Sequence, residues 1–250
     1  MTTERARYFD TWYANMAESP LVDEIQRRHL GLPPGLPSTS LLTWDGLAEV
    51  TDELRLAPGR TLLDLACGRG GYGLEIASRT GAKQVGVDHS AVAIEQATAL
   101  ADRLGREADF RVGEFAATGL ADGSVDGIVC IDSIQFADPP EAAFAELRRI
   151  LVPGGRVVLT CWEPRGEPAT ERYARLARLQ LAAELARAGF DDVTVVERPE
   201  WQGAERAMWE EAAALEPGDD PALRSFHDEG VESLRHWGSL RRVLATATAP

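Results

Sequence analysis

The sequence predicts an α/β fold, in which helices cover both faces of a mostly parallel sheet. Residues 61–90 carry this prediction, because an apolar strand, a glycine-rich turn, an amphipathic helix and a second apolar strand that ends in an acid follow one another there. Residues 125–131 form a near-continuous apolar run, which is typical of a strand buried on both faces of a parallel sheet. The length of 250 residues fits one α/β domain, or one such domain with a cap.

Composition narrows the classes of partner. The chain has 26 basic and 40 acidic side chains and a net charge of −14, which disfavours nucleic acid and anionic membranes because both need clustered positive charge. The three cysteines have no CxxC spacing, so neither a disulfide framework nor a metal site is predicted. No apolar run reaches the roughly 18 residues of a membrane helix, and the N-terminus lacks the pattern of a signal peptide. We therefore expect a soluble, cytoplasmic protein.

Residues 1–57 precede the first predicted strand. Between residues 7 and 18 a helix with one aromatic face is predicted, because these residues recur at helical spacing: Tyr8, Phe9, Trp12, Tyr13 and Met16. That face either covers the core or forms a lid over a ligand, and the sequence leaves both interpretations open. Residues 30–40 are rich in proline and glycine and predict a loop, after which Ser40 or Thr43 caps a helix that ends near residue 56.

The glycine-rich turn after the first strand predicts a nucleoside-binding site. Glycines at positions 68, 70, 71 and 73 allow positive φ angles and a close approach of a ligand to the backbone. The helix that follows points free N–H groups at the turn. Asp88 ends the second strand eighteen positions after Gly70, close to the spacing of ~20 residues at which an acid accepts hydrogen bonds from ribose hydroxyls.

Two classes of nucleoside ligand are compatible with this turn. Gly68, Gly70 and Gly73 match the pattern G-x-G-x-x-G of dinucleotide-binding proteins, which makes an NAD(P)-dependent oxidoreductase the main alternative. Asp64, inside the first strand, argues against a pyrophosphate because its carboxylate would repel the phosphates. The same carboxylate favours the cationic sulfonium and ammonium groups of S-adenosylmethionine.

The rest of the chain alternates between helix and strand patterns. Ser90 is a candidate N-cap for a helix at 91–104 whose inward residues are Val92, Ile94, Ala97 and Leu100. Further strands are predicted at 110–112, 125–131, 156–161, 192–197 and 242–248. Further helices are predicted after Pro139-Pro140, at 170–188 and at 201–234, the last of these broken at 217–221.

Two segments carry a family resemblance. Residues 63–71, Leu-Asp-Leu-Ala-Cys-Gly-Arg-Gly-Gly, closely resemble motif I of the class I S-adenosylmethionine-dependent methyltransferases. Residues 109–162, with the segment 146–155 at their centre, look like the ubiquinone/menaquinone/sterol-type branch of that family. The resemblance implies a Rossmann-like sheet of seven strands, with strand seven antiparallel between strands five and six. It also fits an N-terminal helical lid at 1–57, a core at 58–250 and a helical insertion at 201–234 that contributes to a substrate cap.

The family's cofactor residues map onto positions of this chain, with S-adenosyl-L-methionine as the implied cofactor. Those expected at its methionine and ribose portions are Asp64, Ala66, Gly68, Gly70 and Asp88. Those expected around the adenine are His89, Glu114 and Phe115. Asp132 is expected near the methionine end or the acceptor. The acceptor itself is expected among aromatic side chains: Tyr8, Trp12, Tyr13, Phe136 and Trp162.

Asp132 and Gln135 are the expected catalytic positions, where they would orient the acceptor. Many relatives have a histidine at or next to Gln135, and glutamine cannot accept a proton at neutral pH. Either the reaction needs no base or the base lies elsewhere. The candidates for such a base are His29, His227, His236, Asp132 and Glu163.

These inferences predict an enzyme that transfers a methyl group from S-adenosylmethionine to an oxygen, nitrogen or carbon atom of a small molecule. The aromatic flanking segments favour an aromatic or polyketide-like metabolite of secondary metabolism. Two alternatives stay open: an NAD(P)-dependent oxidoreductase, and a protein of the same fold that catalyses chemistry without methyl transfer, such as cyclisation. The chain is expected to act as a monomer or homodimer, without a nucleic-acid or membrane partner.

Overall fold

The computed structural model describes residues 2–166, 176 and 179–250. Within these residues seven strands form one sheet: β1 Thr61–Leu65, β2 Lys83–Asp88, β3 Ala108–Val112, β4 Val125–Ile131, β5 Leu151–Pro164, β6 Asp191–Glu197 and β7 Leu240–Thr248. Their order is β3-β2-β1-β4-β5-β7-β6. Strand β7 runs antiparallel to both neighbours, while the pairs from β3 to β5 are parallel. The predicted Rossmann-like seven-stranded sheet is therefore confirmed.

Helices of the described chain cover the sheet and its carboxyl edge. They are α1 Thr2–Glu18, α2 Pro20–Leu30, α3 Trp44–Leu54, α4 Gly71–Thr80, α5 Ala91–Leu104, α6 Pro140–Ile150, α7 Leu181–Arg187, α8 Pro199–Ala213 and α9 Pro221–Arg235. Because side chains alternate along a strand, Leu63 packs on one face with Leu147 of α6, and Leu62 packs on the other face with Ile76 of α4. No helix in the described ranges is long and apolar enough to cross a membrane.

A separate apolar cluster joins the N-terminal helices to the insertion near the C-terminus. Ile25 of α2 packs there with Met208 and Trp209 of α8 and Phe226 of α9. Ser19 donates a hydrogen bond of 2.7 Å to Asp220, the residue that caps α9. The two segments therefore form one layer, although more than 160 residues of sequence separate them.

Local signals explain where several helices begin. The hydroxyl of Ser90 accepts from the backbone N–H of Ala93 at 3.1 Å and caps α5 as predicted. Thr43, and not Ser40, caps α3, since its hydroxyl accepts from the N–H of Gly46 at 3.0 Å. Helix α2, which no pattern predicted, begins at Pro20, where the lack of an N–H is harmless in a first turn.

Some details of the prediction were wrong. The buried face of α5 contains Ala93 and Ala101 beside the expected Ala97 and Leu100, whereas Val92 and Ile94 are only half-buried. Small alanines let α5 approach the sheet closely, and a search for large apolar residues overlooks them. Strand β5 also begins earlier than predicted, and the residues at 153–155 lie within it beside a register shift against β4. The first part of the predicted helix at 170–188 lies largely outside the described residues, and the described part contains α7 near its end.

Candidate active site

A cavity of about 920 Å³ opens at the carboxyl ends of β1 and β4. Its floor includes Asp64 and Ala66 from the first strand and its turn, and Asp132 and Gln135 from the segment after β4. Its walls come from α1, α2, α8 and α9. Ligands of open α/β sheets bind at this edge, so the cavity lies where the topology places a functional site.

Asp64 contributes a buried carboxylate to this floor. The side chain is 3% exposed, and burial raises its pKa from 3.8 to about 7, with the charge of Asp88 acting in the same direction. The backbone N–H of Gly73 opposes this shift by donating a hydrogen bond. A Cβ at Gly73 would lie 2.4 Å from Oδ2 of Asp64, so only glycine fits beside this carboxylate. Asp64 thus has a backbone donor and no cationic partner among the described residues.

The turn after β1 has three residues with positive φ: Ala66 at 59°, Gly68 at 51° and Gly70 at 78°. A Cβ on Gly68 would meet the hydroxyl of Tyr13 at 2.9 Å, which shows that α1 lies directly over this part of the turn. A Cβ on Gly70 would meet Ala97 at 3.0 Å, so this glycine permits close packing of the turn on α5. Of the three, only Ala66 lines the cavity.

Asp88 lies at the end of β2 and is 4% exposed. Its two oxygens accept from the backbone N–H groups of Gly68 and Ser90, each at 2.9 Å. Burial raises the pKa of this carboxyl, and the two backbone hydrogen bonds oppose the rise. Asp88 therefore ties the glycine turn to the start of α5. It does not line the cavity, so the expected contact with ribose stays a prediction.

The three residues expected around the adenine also lie outside the cavity lining. The ring of His89 meets Phe9 edge-on at a centroid distance of 5.0 Å. Glu114 is exposed, and Phe115 is half-buried against the main core. Their proposed contacts with an adenine likewise stay predictions.

Asp132, directly after β4, adopts a φ of 55° and points its carboxylate into a dense set of donors. Arg242 of β7 binds it with two hydrogen bonds, of 2.6 and 2.9 Å. Thr160 donates to it at 2.6 Å and the N–H of Leu41 at 2.8 Å. Asp132 lines the cavity as expected, but its lone pairs already hold β7, β5 and the loop before α3 together.

Gln135 also lines the cavity, yet both ends of its amide are engaged. Its Nε2 donates to the carbonyl of Asp132 at 2.6 Å, and its Oε1 accepts from the thiol of Cys161 at 3.3 Å. The amide consequently braces the turn after β4. Its expected role in orienting the acceptor stays a prediction.

The aromatic residues expected at the acceptor all line the cavity: Tyr8, Trp12, Tyr13, Phe136 and Trp162. Along α1, Tyr13 is buried at 7% exposure and Tyr8 is 63% exposed. The interpretation of α1 as a lid over a ligand stays a prediction. Two contacts hold α1 over the turn: Asp10 accepts from the Ser90 hydroxyl at 2.6 Å, and Gln96 donates to the Tyr13 carbonyl at 3.1 Å. Burial, with the charge of Asp88, raises the pKa of the Tyr13 hydroxyl.

Three charged residues of the site escaped the sequence analysis. Arg242 is fully buried and stacks on the ring of Trp162, with its guanidinium carbon 4.0 Å from the ring centroid. Glu205 of α8 lines the cavity at 4% exposure. Arg69, inside the glycine turn, lines it at 6% exposure. Arg242 could have been found from the sequence, because it is a charged residue at the start of the apolar strand predicted at 242–248.

The five residues considered as a possible general base differ in whether they line the cavity. His29 bonds Glu211 at 2.6 Å, His227 bonds Asp228 at 2.9 Å, and Glu163 accepts from Arg241 at 2.6 Å, all outside the cavity lining. His236 and Asp132 do line it. Among the residues that the structure describes, no three His, Cys, Asp or Glu side chains are grouped to hold a metal ion.

Comparison with known families identifies the region that supplies the floor of this site. The family model described as "Methyltransferase domain" matches residues 62–155, from β1 into β5. Residues 62–155 therefore form a methyltransferase domain. A sterol 24-C-methyltransferase of Gibberella zeae is 32% identical over 105 residues, which cover 41% of this chain and 28% of that protein. The chain thus spans well under two thirds of the length of this curated relative.

Solved structures match a larger part of the chain and support the fold of the methyltransferase domain. Phosphoethanolamine N-methyltransferase 2 of Haemonchus contortus superposes with a TM-score of 0.72 at 18% identity, over 83% of this chain and 53% of that one. The cyclase SpnF superposes with a TM-score of 0.69 at 23% identity, over 82% of this chain and 79% of that one. At these identities the likeness concerns the fold alone.

Proposed function

We propose that this protein transfers a methyl group from S-adenosylmethionine to a small-molecule acceptor held beneath α1, α8 and α9. The observation that carries the proposal is Asp64, a buried carboxylate that faces the cavity at the end of β1 without a cationic partner among the described residues. A ligand with positive charge next to this strand would supply the missing partner. A pyrophosphate there would add a second negative charge, which counts against the dinucleotide alternative.

A second buried group fits the same ligand. Arg69 bonds Asp23 through Nη2 at 2.7 Å, while its buried Nε has no hydrogen-bond partner in the described part of the chain. A carboxylate is the natural acceptor for a guanidinium N–H. Asp64 and Arg69 together would therefore hold the ammonium and the carboxylate of a methionine portion. We retain Asp88, His89, Glu114 and Phe115 as the proposed contacts of the adenosine portion.

The chemistry divides between ligand and protein. When bound, S-adenosylmethionine supplies a methyl carbon on a positively charged sulfur. The protein orients the acceptor against that carbon and excludes water, and orientation alone is worth several kcal/mol. The aromatic walls suit a flat or apolar acceptor, such as an aromatic or polyketide-like metabolite of secondary metabolism. We propose Asp132 and Gln135 as positioning residues, because their own hydrogen bonds fix the cavity floor.

The finer expectations belong to the same proposal. Residues 1–57 and 201–234 would form the substrate cap over the core at 58–250, which their shared apolar cluster supports. A cytoplasmic location and a monomeric or homodimeric state are part of it. Light scattering on the purified chain would measure the oligomeric state.

Calorimetry with S-adenosylhomocysteine, with NADH titrated in parallel, tests the cofactor class. We expect micromolar binding of S-adenosylhomocysteine and none of NADH. The reverse result in a folded sample would replace methyl transfer by oxidoreductase chemistry. The mass of the product from a converted acceptor then separates methylation from cyclisation, since only the former adds a methyl group.

A further inference from the structure

Glu205 projects from α8 into the wall of the cavity and has an unusual set of partners. The indole Nε1–H of Trp162 donates to both of its oxygens, with Nε1 at 3.1 Å from Oε1 and 3.2 Å from Oε2. The indole N–H of Trp209 donates to one of them at 3.4 Å. Both donors are neutral, so these hydrogen bonds hold the carboxylate in place without balancing its charge.

Arg242 faces Glu205, but its guanidinium already forms an ion pair with Asp132. Its two Nη atoms bind Asp132, and its Nε lies 3.7 Å from Glu205 without a hydrogen-bond partner among the residues described. One guanidinium thus stands between two buried carboxylates. Asp132 has the geometry of the full ion pair, and Glu205 is the surplus negative charge.

The rest of the cavity wall does not offset this surplus. Its other described carboxylates are Glu4, Asp64, Asp228 and Glu229, and its described arginines are Arg5 and Arg69. Arg5 donates to the Phe136 carbonyl at 2.7 Å and Arg69 binds Asp23 at 2.7 Å. An anionic acceptor would therefore meet net repulsion in this cavity.

Gln26 of α2 provides an independent sign of what is recognised. It lines the same cavity at 5% exposure, and its side-chain carbonyl oxygen is buried without a hydrogen-bond partner within the described chain. A buried acceptor is costly unless a donor reaches it. A ligand group that donates hydrogen bonds would therefore be favourable next to both Glu205 and Gln26.

We propose that Glu205 is the binding site for a protonated amine on the acceptor, with the carbonyl oxygen of Gln26 as a further hydrogen-bond acceptor. This inference rests on the proposed methyl transfer, because it names the class of acceptor for that site. An ammonium group supplies positive charge and several N–H donors, and the aromatic walls favour a cation over an anion. Burial also raises the pKa of Glu205 to about 7, against the opposing charge of Arg242, as expected of a carboxylate short of counter-charge.

Three probes of similar shape and different charge test the proposal: 2-phenylethylamine, 2-phenylethanol and 3-phenylpropionate. Each is titrated calorimetrically into protein saturated with S-adenosylhomocysteine. We expect the amine to bind at least about tenfold more tightly than the alcohol, because a charge-assisted hydrogen bond in a desolvated site exceeds the ~1.4 kcal/mol of a tenfold change. The carboxylate should bind most weakly.

Two matched substitutions on α8 test whether Glu205 causes the preference for the amine over the alcohol. Glu205→Gln should reduce the amine-to-alcohol ratio below about threefold, since the amide keeps the shape but removes the charge. Glu210→Gln, on the exposed side of α8, should leave the ratio as in the wild type. Gln26→Leu should lower amine affinity with less effect on the alcohol.

Equal affinity for amine and alcohol in the wild type, or a preference that survives Glu205→Gln, would overturn the proposal. So would tightest binding of the carboxylate, or binding of no probe at millimolar concentration. Affinity for S-adenosylhomocysteine should stay within about twofold in Glu205→Gln; a larger loss would assign Glu205 to the cofactor's own amine and overturn the acceptor role. If S-adenosylhomocysteine fails to bind the wild type, the proposed function fails, and the probe ratio without it decides on the amine site separately.

Wild-type protein alone provides a second test, should Glu205→Gln not fold. Arg242 faces Glu205 directly, and Asp132 shares that guanidinium. The other charged groups and the histidine that share the cavity, among the described residues, are Glu4, Arg5, Asp64, Arg69, Asp228, Glu229 and His236. Because Glu205 must be ionised to bind an ammonium, amine affinity should rise between about pH 6 and about pH 8, while alcohol affinity stays flat. A ratio that does not change over this range would contradict the proposal.

Discussion

Replacing Arg242 with methionine should destabilise the protein strongly. The side chain of Arg242 is fully buried. It forms an ion pair with Asp132 and faces Glu205, and the side chains of both acids are also buried. Methionine roughly retains the length and packing of the arginine stem but removes the guanidinium that both carboxylates contact. Loss of one partner from a buried ion pair costs about 3–5 kcal/mol, because the remaining charge must be buried unpaired or neutralised by protonation.

The assay is urea unfolding, with Arg241→Met as the matched control. Arg241 is the next residue of β7 and pairs with Glu163 at 2.6 Å, but its side chain is 39% exposed. A pair at that exposure contributes less than about 1 kcal/mol, so the control should unfold close to the wild type. Both variants remove one arginine from the same strand, which leaves burial as the difference between them.

The pH dependence checks the cause of the loss. Below about pH 5 Glu205, whose pKa burial raises to about 7, is protonated and needs no counter-ion, so the defect of Arg242→Met should shrink there and grow towards about pH 8. A free-energy loss equal to that of Arg241→Met, or one that does not vary with pH, would refute the assignment of Arg242 as the counter-ion of the cavity.

Three further predictions use other parts of the site. Gly73→Ala should lower both stability in thermal melts and affinity for S-adenosylhomocysteine, because its Cβ would lie 2.4 Å from Oδ2 of Asp64. The control Gly203→Ala, whose Cβ would meet no atom of the described residues within 4 Å, should be neutral or up to ~1 kcal/mol stabilising in the same melts. Asp88→Ala should weaken S-adenosylhomocysteine at least about tenfold in calorimetry and also cost about 1–3 kcal/mol of stability, since two backbone N–H groups lose their acceptor; unchanged affinity would remove Asp88 from the site. Because the pKa of Glu205 rises from 4.5 to about 7 on folding, its protonated form stabilises the native state at low pH, and this stabilisation is lost as the pH rises through 7. The free energy of unfolding should fall by up to about 3 kcal/mol between pH 4.5 and 7. Glu205→Gln should make the free energy of unfolding less dependent on pH over this range.

Short-range patterns predicted the core of the fold well. Strand β4 and helix α5 have the predicted limits, and Ser90 caps α5 as expected. These signals are local: an apolar run of strand length, and a hydroxyl placed before a helical pattern. The parallel order of the strands then brings Asp64 and Asp132 to one edge, because every parallel strand ends on the same side of the sheet.

Roles that depend on distant partners were harder to predict. Asp88 has the position expected of a ribose ligand, but its oxygens hold the backbone of Gly68 and Ser90 in this structure. Gln135 lies in the cavity, where Asp132 and Cys161 already engage its amide. A residue type and its place on a strand give no information about how many donors converge on it.

The sequence by itself determined the methyltransferase domain, since the strand, glycine turn, helix and terminal acid at 61–90 are contiguous and each follows from local backbone and side-chain preferences. Only the tertiary structure decided the charge balance of the cavity. Glu205 and Arg242 lie 37 positions apart on α8 and β7, and Asp132 is 110 positions from Arg242. Burial gives these three side chains their properties, and burial arises only when the antiparallel last strand returns between β5 and β6 beneath α8.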